Sequence, residues 1–419
     1  AYVMGERGAR NEPATPEDVE AMAAIVREGV RAGALGFSTS RTLAHRAIDG
    51  EPVPGTHATE DELFGIGSVL GELGTGVFEL APAGALGEDL AAPEREMDWM
   101  RRLAAEIRRP VTFALGQNNA DPDSWRRLLD LAGEAAADGV PVRPQVHGRT
   151  VSLLLGFQTF HPLAFTAAWG AAGLGLLPWQ EQVARVRDDA DLKARIVEDA
   201  ARTLDDDPVV SGFMHPDRIF LLGDPPVYEP GPERSVSAIA RARGLDPWAL
   251  LVELLLHDDG RELLNAPVLN YSHGNLDAVG EMLRHPTSAF GLGDGGAHAG
   301  QTCDASTTTF LLTHWARDRG HDRLTVEEAV HKMTQATATL YGLGDRGVLA
   351  PGYVGDLNVI DHDRLRLHRP ELVADLPGGA TRLVQRADGY VATVKSGEVT
   401  FEHGEDTGAR PGALLRGAR

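Results

Sequence analysis

Hydrophobic and polar positions follow a repeating order along the first third of the chain. Apolar residues recur at helical spacing in PEDVEAMAAIVREGVRAG, where Thr15 and Asp18 form a capping-box pattern, and the short apolar run ALGFSTS follows at residues 34–40. The order recurs three times: Thr59 opens a helix that leads to GVFELAP, PEREMDWMRRLAAEIRR leads to PVTFALGQ, and DPDSWRRLLDLAGEAAADG leads to VPVRPQVHG. Such alternation is typical of parallel βαβ units and predicts an α/β fold.

The order changes in the middle of the chain. Residues from about 150 to 267 are rich in proline and helix-forming patterns, and they predict a helical insertion that also contains the strand-like RIFLLGD. The alternation then resumes with APVLNYSH, a helix capped by Asn275, and the strand SAFGLGD. A further helix is predicted from Thr325 to Tyr341, and after Gly347 the pattern becomes glycine-rich and alternating, which indicates a small β subdomain.

The α/β pattern is compatible with two arrangements, which differ in the number of strands that they need. Six strand candidates end near Ser40, Ala81, Leu115, Val146, Ser272 and Asp294. A closed barrel of parallel strands needs eight, so a barrel would leave two strands to be placed before Ala1. A doubly wound sheet would need no additional strands, and both arrangements stay open on the pattern alone.

The net charge and the cysteine content of the chain bear on its partners and its location. The 419 residues contain 40 basic and 61 acidic side chains, a formal net charge of −21, so a polyanion such as nucleic acid is not an expected partner. The single cysteine, Cys303, excludes an internal disulfide and fits a reducing, cytoplasmic location. No signal peptide is visible at the N-terminus, and PLAFTAAWGAAGLGLLPW is too short and too interrupted to span a membrane.

The stretch GLGDGGAHAG contains a literal G-x-G-x-x-G at Gly291, Gly293 and Gly296. A dinucleotide site would need a helix that starts at these glycines and an acidic residue about 20 positions later, at the end of a second strand. Neither is present, because a polar loop follows. At the end of a barrel strand the same residues would instead present Asp294 and His298 at the face where barrel chemistry occurs. The alternative is an aspartate that caps its own turn.

Five ordered segments carry a resemblance to a known family: GALGFSTSRTLAHR, VLNYSHGNLDAV, GLGDGGAHAGQTCDAS, GVLAPGYVGDLNVID and ARPGALLRG. Together they resemble the N-acyl-D-amino-acid deacylase (D-aminoacylase) branch of the amidohydrolase superfamily. The resemblance implies a (β/α)8 TIM-type barrel with a small C-terminal β-sandwich, zinc that activates water, and a last-strand aspartate that accepts the water's proton and protonates the leaving amine. Asp294 matches that aspartate, and the implied substrate is a small N-acyl-D-amino acid.

The family's first-strand His-x-His metal motif occurs nowhere among the 15 histidines. The missing motif and the six strands together predict an incomplete barrel that lacks its first two strands, over residues 1–346, with the insertion at about 150–267. Residues 347–419 would form the small β subdomain and a tail. Open barrel edges near ALGFSTS and SAFGL make an oligomer possible.

The remaining candidate residues lie at the ends of predicted strands. Gln117 stands where the family places a histidine ligand, and we predict that it contacts the substrate, as does Asn270. His147 is the predicted second metal ligand beside Asp294, although a satisfied structural histidine is an equal alternative. Arg149 is predicted to pair with a substrate carboxylate, and His298 to assist Asp294.

Two rival functions stay open. Ser272 in NYSHG lies between a predicted strand and a helix, as the nucleophile of a serine hydrolase would, with Asp294 and His298 following in the right order. A non-enzyme alternative is also consistent with the missing metal motif. In that case the chain is an inactive amidohydrolase-like binding protein or a fragment of a longer enzyme.

Overall fold

A parallel sheet of five strands forms the centre of the molecule. The structure is a computed structural model that describes residues 1–204, 210–293 and 298–417. The strands of this sheet are β1 (Gly36–Ser40), β2 (Val77–Ala81), β3 (Val111–Leu115), β4 (Val142–Val146) and β8 (Ala289–Phe290), in the order β1-β2-β3-β4-β8. The order follows the chain without the reversal that defines a doubly wound sheet, so the described strands are arranged as in an α/β barrel.

The backbones of β1 and β2 approach each other closely at a glycine. In β1, Gly36 lies opposite Val77, and a Cβ atom at Gly36 would stand 1.9 Å from the Val77 carbonyl oxygen. Only glycine allows this approach of two backbones. The next pairs, such as Phe78 with Val111, continue the parallel register across the sheet. Five of the six predicted core strands are therefore confirmed as parallel neighbours.

The prediction for the remaining strand candidate is wrong, because that strand does not belong to the parallel sheet. The run APVLNYSH forms β7 (Leu264–Leu269), but β7 pairs antiparallel with β5 (Val151–Leu155) and with β6 (Phe220–Leu221) in a separate three-stranded sheet. Because a short apolar run satisfies either a parallel or an antiparallel neighbour, its hydrophobic pattern did not distinguish the two.

Helices cover the parallel sheet and fill the segment between β5 and β7. The α-helices are α1 Glu6–Ala9, α2 Pro16–Arg31, α3 Glu60–Leu73, α4 Ala92–Ile107, α5 Ser124–Ala137, α6 Ala167–Ala171, α7 Trp179–Asp188, α8 Ala190–Thr203, α9 Val236–Arg243, α10 Pro247–Leu255, α11 Asp277–Arg284, α12 Thr307–Phe310, α13 Val326–His331 and α14 Thr337–Leu340. Turns with π-helical hydrogen bonding lie at Val210–Met214, Leu311–Asp318 and Lys332–Ala336. Single 3-10 turns lie at Pro162–Phe165, Leu174–Leu176, Pro216–Arg218, Pro232–Arg234, His257–Gly260, Asp304–Ser306 and Pro377–Gly379.

The predicted helix caps at Thr15 and Thr59 are confirmed, and the predicted cap at Asn275 is wrong. The Thr15 side chain accepts a hydrogen bond from the Asp18 N–H and the Asp18 carboxylate accepts one from Thr15, a complete capping box. Thr59 caps α3 in the simpler way, through the Glu62 N–H. The cap position of α11 is occupied by Leu276, which has no side-chain cap, and Asn275 lies one residue earlier, where its Oδ1 accepts the Asp277 N–H at 2.9 Å. These local signals act within one turn of chain, so the sequence alone is sufficient to predict them.

Two hydrophobic cores support the fold. The larger core joins the parallel sheet to its helices and contains fully buried side chains such as Phe78, Leu103 and Trp315. The second core lies within residues 155–266 and includes Ile196, Leu251 and Leu264. The segment between β5 and β7 therefore has a core of its own.

The chain ends in a group of small antiparallel sheets. Their strands are β9 Leu357–Ile360, β10 Arg366–Leu367, β11 Glu371–Val373, β12 Arg382–Val384, β13 Ala387–Asp388, β14 Tyr390–Lys395, β15 Glu398–Glu402 and β16 Glu405–Asp406. Four of them form the sheet β16-β15-β14-β9, which confirms a C-terminal sheet subdomain. The exact domain boundary at residues 346 and 347 stays a prediction. Within the described ranges, every helix is too short or too polar to cross a bilayer.

Candidate functional site

A cavity of about 1170 Å³ opens at the carboxyl ends of the parallel strands. Its wall includes Ser40 at the end of β1, Ala81 at the end of β2, and Ala114 and Gln145 near the ends of β3 and β4. Enzymes built on parallel barrels place their chemistry at this end of the strands. The cavity is therefore the candidate site.

One side of the cavity carries two histidines and a serine. The Ser40 Oγ lies 2.6 Å from the Nδ1 of His45, and both residues line the cavity. The His45 ring is 6.4 Å, centroid to centroid, from the ring of His298. His298 has a left-handed backbone with φ of 52°, an uncommon conformation for a non-glycine residue. The predicted site residue His298 is thus placed on the cavity wall.

A carboxylate and an amide lie along the strands that form the cavity wall. The Gln145 Nε2 donates to the Glu79 Oε1 at 3.0 Å and to the Thr112 Oγ1 at 2.9 Å. Glu79 and Gln145 both line the cavity. Because the amide of Gln145 is held by two acceptors, this part of the wall presents the Glu79 carboxylate in a defined position.

His147 and Arg149 are buried beside the cavity, and neither is among the residues that line it. The Arg149 guanidinium donates to the Ser306 Oγ at 3.1 Å, to the Cys303 carbonyl and to the Asp304 Oδ1 at 3.2 Å, and it stacks over the Tyr228 ring at 3.9 Å. It is 2% exposed. The Arg149 guanidinium is therefore buried and paired within the protein, whereas a guanidinium that binds a substrate carboxylate is expected to face the cavity. Its partner Asp304 does line the cavity.

His147 has a protein partner at each ring nitrogen. Its Nδ1 lies 2.9 Å from the Arg149 carbonyl oxygen, and its Nε2 lies 3.0 Å from the Thr307 Oγ1 and 3.8 Å from the Asp304 Oδ1. A metal ion at Nε2 would have to displace Thr307 and would stand next to the positive charge of Arg149. Within the described ranges, fewer than three close ligand atoms for a metal are assembled around this nitrogen.

Gln117 and Asn270 join the ends of β3 and β7. The Gln117 N–H donates to the Asn270 Oδ1 at 2.8 Å, and the Asn270 N–H donates to the Gln117 carbonyl at 2.8 Å. The Gln117 side chain also accepts the Ser272 N–H at 3.0 Å and donates to the Pro122 carbonyl at 3.2 Å. Both side chains are 1% exposed. Their contacts hold two strand ends together, and substrate contact by either residue stays a prediction.

Asp294, the predicted catalytic residue and metal ligand, lies outside the described residues. The residues on the described flanks, Gly293 and His298, both line the cavity. The alternative nucleophile Ser272 donates its hydroxyl toward the Asn118 carbonyl at 3.0 Å and the Asn119 Oδ1 at 2.9 Å. Among the described contacts, no imidazole lies at the Ser272 hydroxyl to act as its base.

Clustered metal ligands occur elsewhere on the surface. Within residues 1–204, 210–293 and 298–417, the one group of three close ligand atoms is Asp277, His321 and Asp322, all exposed and outside the cavity wall. Asp277 and His321 are already hydrogen-bonded at 3.1 Å. The described residues thus do not assemble a metal centre at the cavity, and we derive no chemical step through a metal.

Other titratable groups near the site are structural. Burial raises the pKa of the Cys303 thiol to about 11, which keeps it protonated and unreactive at neutral pH. Burial alone would raise the pKa of Glu229, but hydrogen bonds from His314 and Arg319 have the larger combined effect and lower that pKa to about 2. Glu229 is therefore a fixed anion that joins the loop before α9 to the helix at Leu311–Asp318.

Sequence reasoning missed several cavity residues. Glu79 is a lone acidic residue in the apolar strand VFELA, a signal that could have identified it. Ser40 ends β1 and His45 lies five positions later, within GALGFSTSRTLAHR, but no local pattern there shows that the two side chains meet; Asp304 likewise pairs with Arg149, 155 residues away. Such pairings depend on the tertiary structure.

Comparison with known proteins supports one family. The amidohydrolase family model matches residues 1–401. Two proteins of Alcaligenes xylosoxydans xylosoxydans are similar in sequence: a D-aminoacylase, 35% identical over 105 residues (25% of this chain and 19% of the relative), and an N-acyl-D-aspartate deacylase, 30% identical over 177 residues (42% and 33%). The matched segments thus span a third or less of these relatives. These matches confirm the resemblance to the D-aminoacylase branch.

Solved structures agree at the level of the fold. A D-aminoacylase structure concerned with its binuclear metal centre superposes with a TM-score of 0.56 at 22% identity, covering 97% of this chain and 67% of that one. A second D-aminoacylase structure gives a TM-score of 0.56 at 21% identity, with the same coverage. The match over residues 1–401 shows that this chain belongs to the amidohydrolase family.

Proposed function

We propose that this protein hydrolyses the amide bond of N-acyl amino acids, with N-acyl-D-amino acids as the substrate class. The observation that carries the proposal is the cavity of about 1170 Å³ at the carboxyl ends of the parallel strands, in a chain that belongs to the amidohydrolase family. Both similar sequences are named as deacylases of D-amino acids, which supports the choice of substrate.

The wall of the cavity suits such a substrate. Apolar side chains such as Met22, Ile25 and Phe37 line it and would accept an acyl chain or an apolar side chain. Acidic and imidazole groups, among them Glu79 and His298, line it as well and offer proton donors and acceptors. The cavity is large enough for a small N-acylated amino acid together with water.

Asp294 is the proposed catalytic base. In this role it accepts a proton from the attacking water while the water oxygen bonds to the amide carbonyl carbon, and it then passes that proton to the leaving amine as the carbon–nitrogen bond breaks. His298 is proposed to assist it from the cavity wall. Zinc, predicted from the resemblance with His147 and Asp294 as ligands, has no complete ligand set among the described residues.

Arg149, Asn270 and Gln117 act on the substrate indirectly in this proposal. Arg149 holds Asp304 at the cavity wall, and Gln117 with Asn270 holds the ends of β3 and β7. Their substitution is expected to disturb the shape of the site through the residues they position.

The test compares Asp294→Asn with Asp322→Asn, an exposed aspartate outside the cavity wall. N-acetyl-D-amino acids and their L enantiomers are supplied, and the released amine is quantified. We expect Asp294→Asn to lower kcat by roughly 10³-fold with KM changed less than about threefold, because proton transfer stabilises the transition state alone. The control should keep the wild-type kcat. Near wild-type turnover in Asp294→Asn would remove Asp294 from the mechanism, and no release of amine by the wild type would reject the function.

A binding protein built on the same cavity is the second candidate. The observation that favours it is that His147 and Gln117 are both occupied by protein partners. Calorimetry with N-acetyl-D-amino acids separates the candidates, since heat of binding without release of amine indicates a binding protein.

A further inference from the structure

Glu79 places a carboxylate on the cavity wall, in the middle of a strand of the parallel sheet. We propose that Glu79 determines the specificity of the site by binding a positively charged side chain, an ammonium or guanidinium group, of the substrate. This role rests on the amide hydrolysis proposed above, and it narrows the substrate class to N-acyl derivatives of basic amino acids.

The backbone of β2 directs Glu79 to the inner side of the sheet. Its neighbour Phe78 packs against Trp99 of α4, with 6.1 Å between the ring centroids, on the side covered by helices. Successive side chains of a strand point to opposite faces, so Glu79 points away from these helices. The residue is paired in register with Ser38 of β1 and with Thr112 of β3. Two neighbouring strands therefore fix the position from which the carboxylate reaches the cavity.

One oxygen of the Glu79 carboxylate is held by the protein. The Gln145 Nε2 donates to the Glu79 Oε1 at 3.0 Å, and it also donates to the Thr112 Oγ1 at 2.9 Å. Gln145 and Thr112 are both buried, so the amide that holds Oε1 has a fixed orientation. Among the contacts of the described residues, the Glu79 Oε2 accepts no hydrogen bond. This second oxygen is therefore available to a ligand in the cavity.

The charge of Glu79 lacks a cationic partner in the part of the chain that the structure describes. No lysine or arginine side chain from these residues lines the cavity wall. Arg143 is in register with Thr112 on β4, but it does not line the cavity, and it forms no ion pair with Glu79. The Gln145 amide donates a hydrogen bond without supplying a charge. Because a partly buried anion is stabilised by an opposite charge, a cationic ligand would supply what the wall lacks.

The other described carboxylates of the wall have surroundings that already favour their charge. Asp304 pairs with the buried Arg149 at 3.2 Å. Glu62 lies in the first turn of α3, and a helix N-terminus favours negative charge. Glu12 is exposed to solvent. These differences single out Glu79 as the carboxylate that a substrate would neutralise.

A basic side chain matches this part of the wall in both of its chemical parts. Its ammonium or guanidinium group would donate a charge-assisted hydrogen bond to the Glu79 Oε2, which is stronger than a bond between neutral groups. Its alkyl stem would lie along apolar wall residues of the same and the neighbouring strand, Leu80, Ala81 and Ala114. An acidic side chain would be repelled by Glu79. The expected order of substrates is therefore basic, then neutral, then acidic.

The experiment measures kcat/KM of the full chain with Nα-acetyl-D-lysine, N-acetyl-D-norleucine and N-acetyl-D-glutamate. We expect the wild type to prefer the lysine over the norleucine derivative by roughly 10- to 100-fold, mainly through KM, and to hydrolyse the glutamate derivative most slowly. Glu79→Gln keeps the shape but removes the charge. It should lower kcat/KM for the lysine derivative to the level of the norleucine derivative, and the norleucine value itself should change less than about threefold. The control Glu198→Gln, at an exposed position of α8 outside the cavity wall, should keep the wild-type preference.

Calorimetry adds a readout that does not depend on turnover. The probes are the methylsulfonamides of D-lysine and D-norleucine, in which a sulfonamide replaces the amide that would be cleaved. The wild type should bind the lysine probe more tightly by roughly 10- to 100-fold, and Glu79→Gln should bind both probes equally. If the wild type releases no amine but keeps this difference in binding, the proposed hydrolysis fails while the cation site stands.

Three results would overturn the role of Glu79 and leave amide hydrolysis standing. The first is equal kcat/KM of the wild type for the lysine and norleucine derivatives, a comparison that needs no variant. The second is a preference for lysine that survives in Glu79→Gln, because another group would then recognise the charge. The third is zinc that the wild type retains through dialysis and Glu79→Gln loses, because the carboxylate would then be a metal ligand.

Discussion

Acidification from pH 8 to pH 5 should destabilise this protein through one buried side chain, His161. The ring is 4% exposed, and it packs 5.0 Å from the Phe157 ring and 4.7 Å from the Trp169 ring, centroid to centroid. Its Nδ1 has no hydrogen-bond partner among the described atoms. Burial in this apolar setting lowers the pKa of His161 from 6.5 to about 4, so the folded chain keeps the ring neutral.

The two pKa values determine the sign and the size of the effect. Between pH 6.5 and pH 4 the unfolded chain binds a proton at His161 that the folded chain does not, so stability falls as the pH falls. At pH 5 the unfolded ring is almost fully protonated and the folded ring is about one-tenth protonated, which lowers the free energy of unfolding by about 2 kcal/mol relative to pH 8. The complete loss, reached below pH 4, is about 3 kcal/mol.

Urea denaturation at pH 8 and at pH 5, followed by tryptophan fluorescence, measures this difference. His161→Phe keeps an aromatic ring against Phe157 and Trp169 but does not titrate, so its loss between the two pH values should be smaller than that of the wild type by about 2 kcal/mol. His331→Gln, an exposed site, should behave like the wild type. If wild type and His161→Phe lose equal free energy, the buried ring is not the source of acid sensitivity and the reasoning is wrong.

Three further expectations follow from the contacts of the site and the sheet. Arg149→Met should lower the free energy of unfolding by about 3–5 kcal/mol, because it leaves the buried Asp304 without its cation. Arg410→Met, which removes an exposed ion pair, should change the free energy of unfolding much less, and an equal small loss in both variants would contradict the importance of the buried pair. When the protein is incubated with zinc and then dialysed, elemental analysis should find well under one equivalent of bound zinc, since a tight site needs three protein ligands. Stoichiometric zinc would show ligands that we have not identified. In sedimentation the chain should associate as its concentration rises, because within the described ranges β1 and β8 each pair with a single neighbour in the parallel sheet; a monomer at every concentration would contradict this.

The sequence alone was sufficient to predict the family and most of the parallel strands, because both depend on residues that are close together in the chain. Helix caps such as Thr15 and Thr59 act on N–H groups three residues away, and amphipathic spacing acts within a few turns. The segments that resemble D-aminoacylases are likewise contiguous in the chain. These features are determined by neighbouring residues, so the sequence alone predicted them.

Pairing between distant segments was decided only by the tertiary structure. The apolar run at Leu264–Leu269 satisfies the core in either direction, and its antiparallel neighbours lie outside any sequence window. Arg149 has the charge for a substrate carboxylate, yet its guanidinium meets Asp304, 155 residues later in the chain. Ser40 and His45 face the same cavity because β1 ends there and the loop is tied to Glu88 and Glu96. A residue type sets which interactions are possible, whereas burial and long-range contacts select the one that forms.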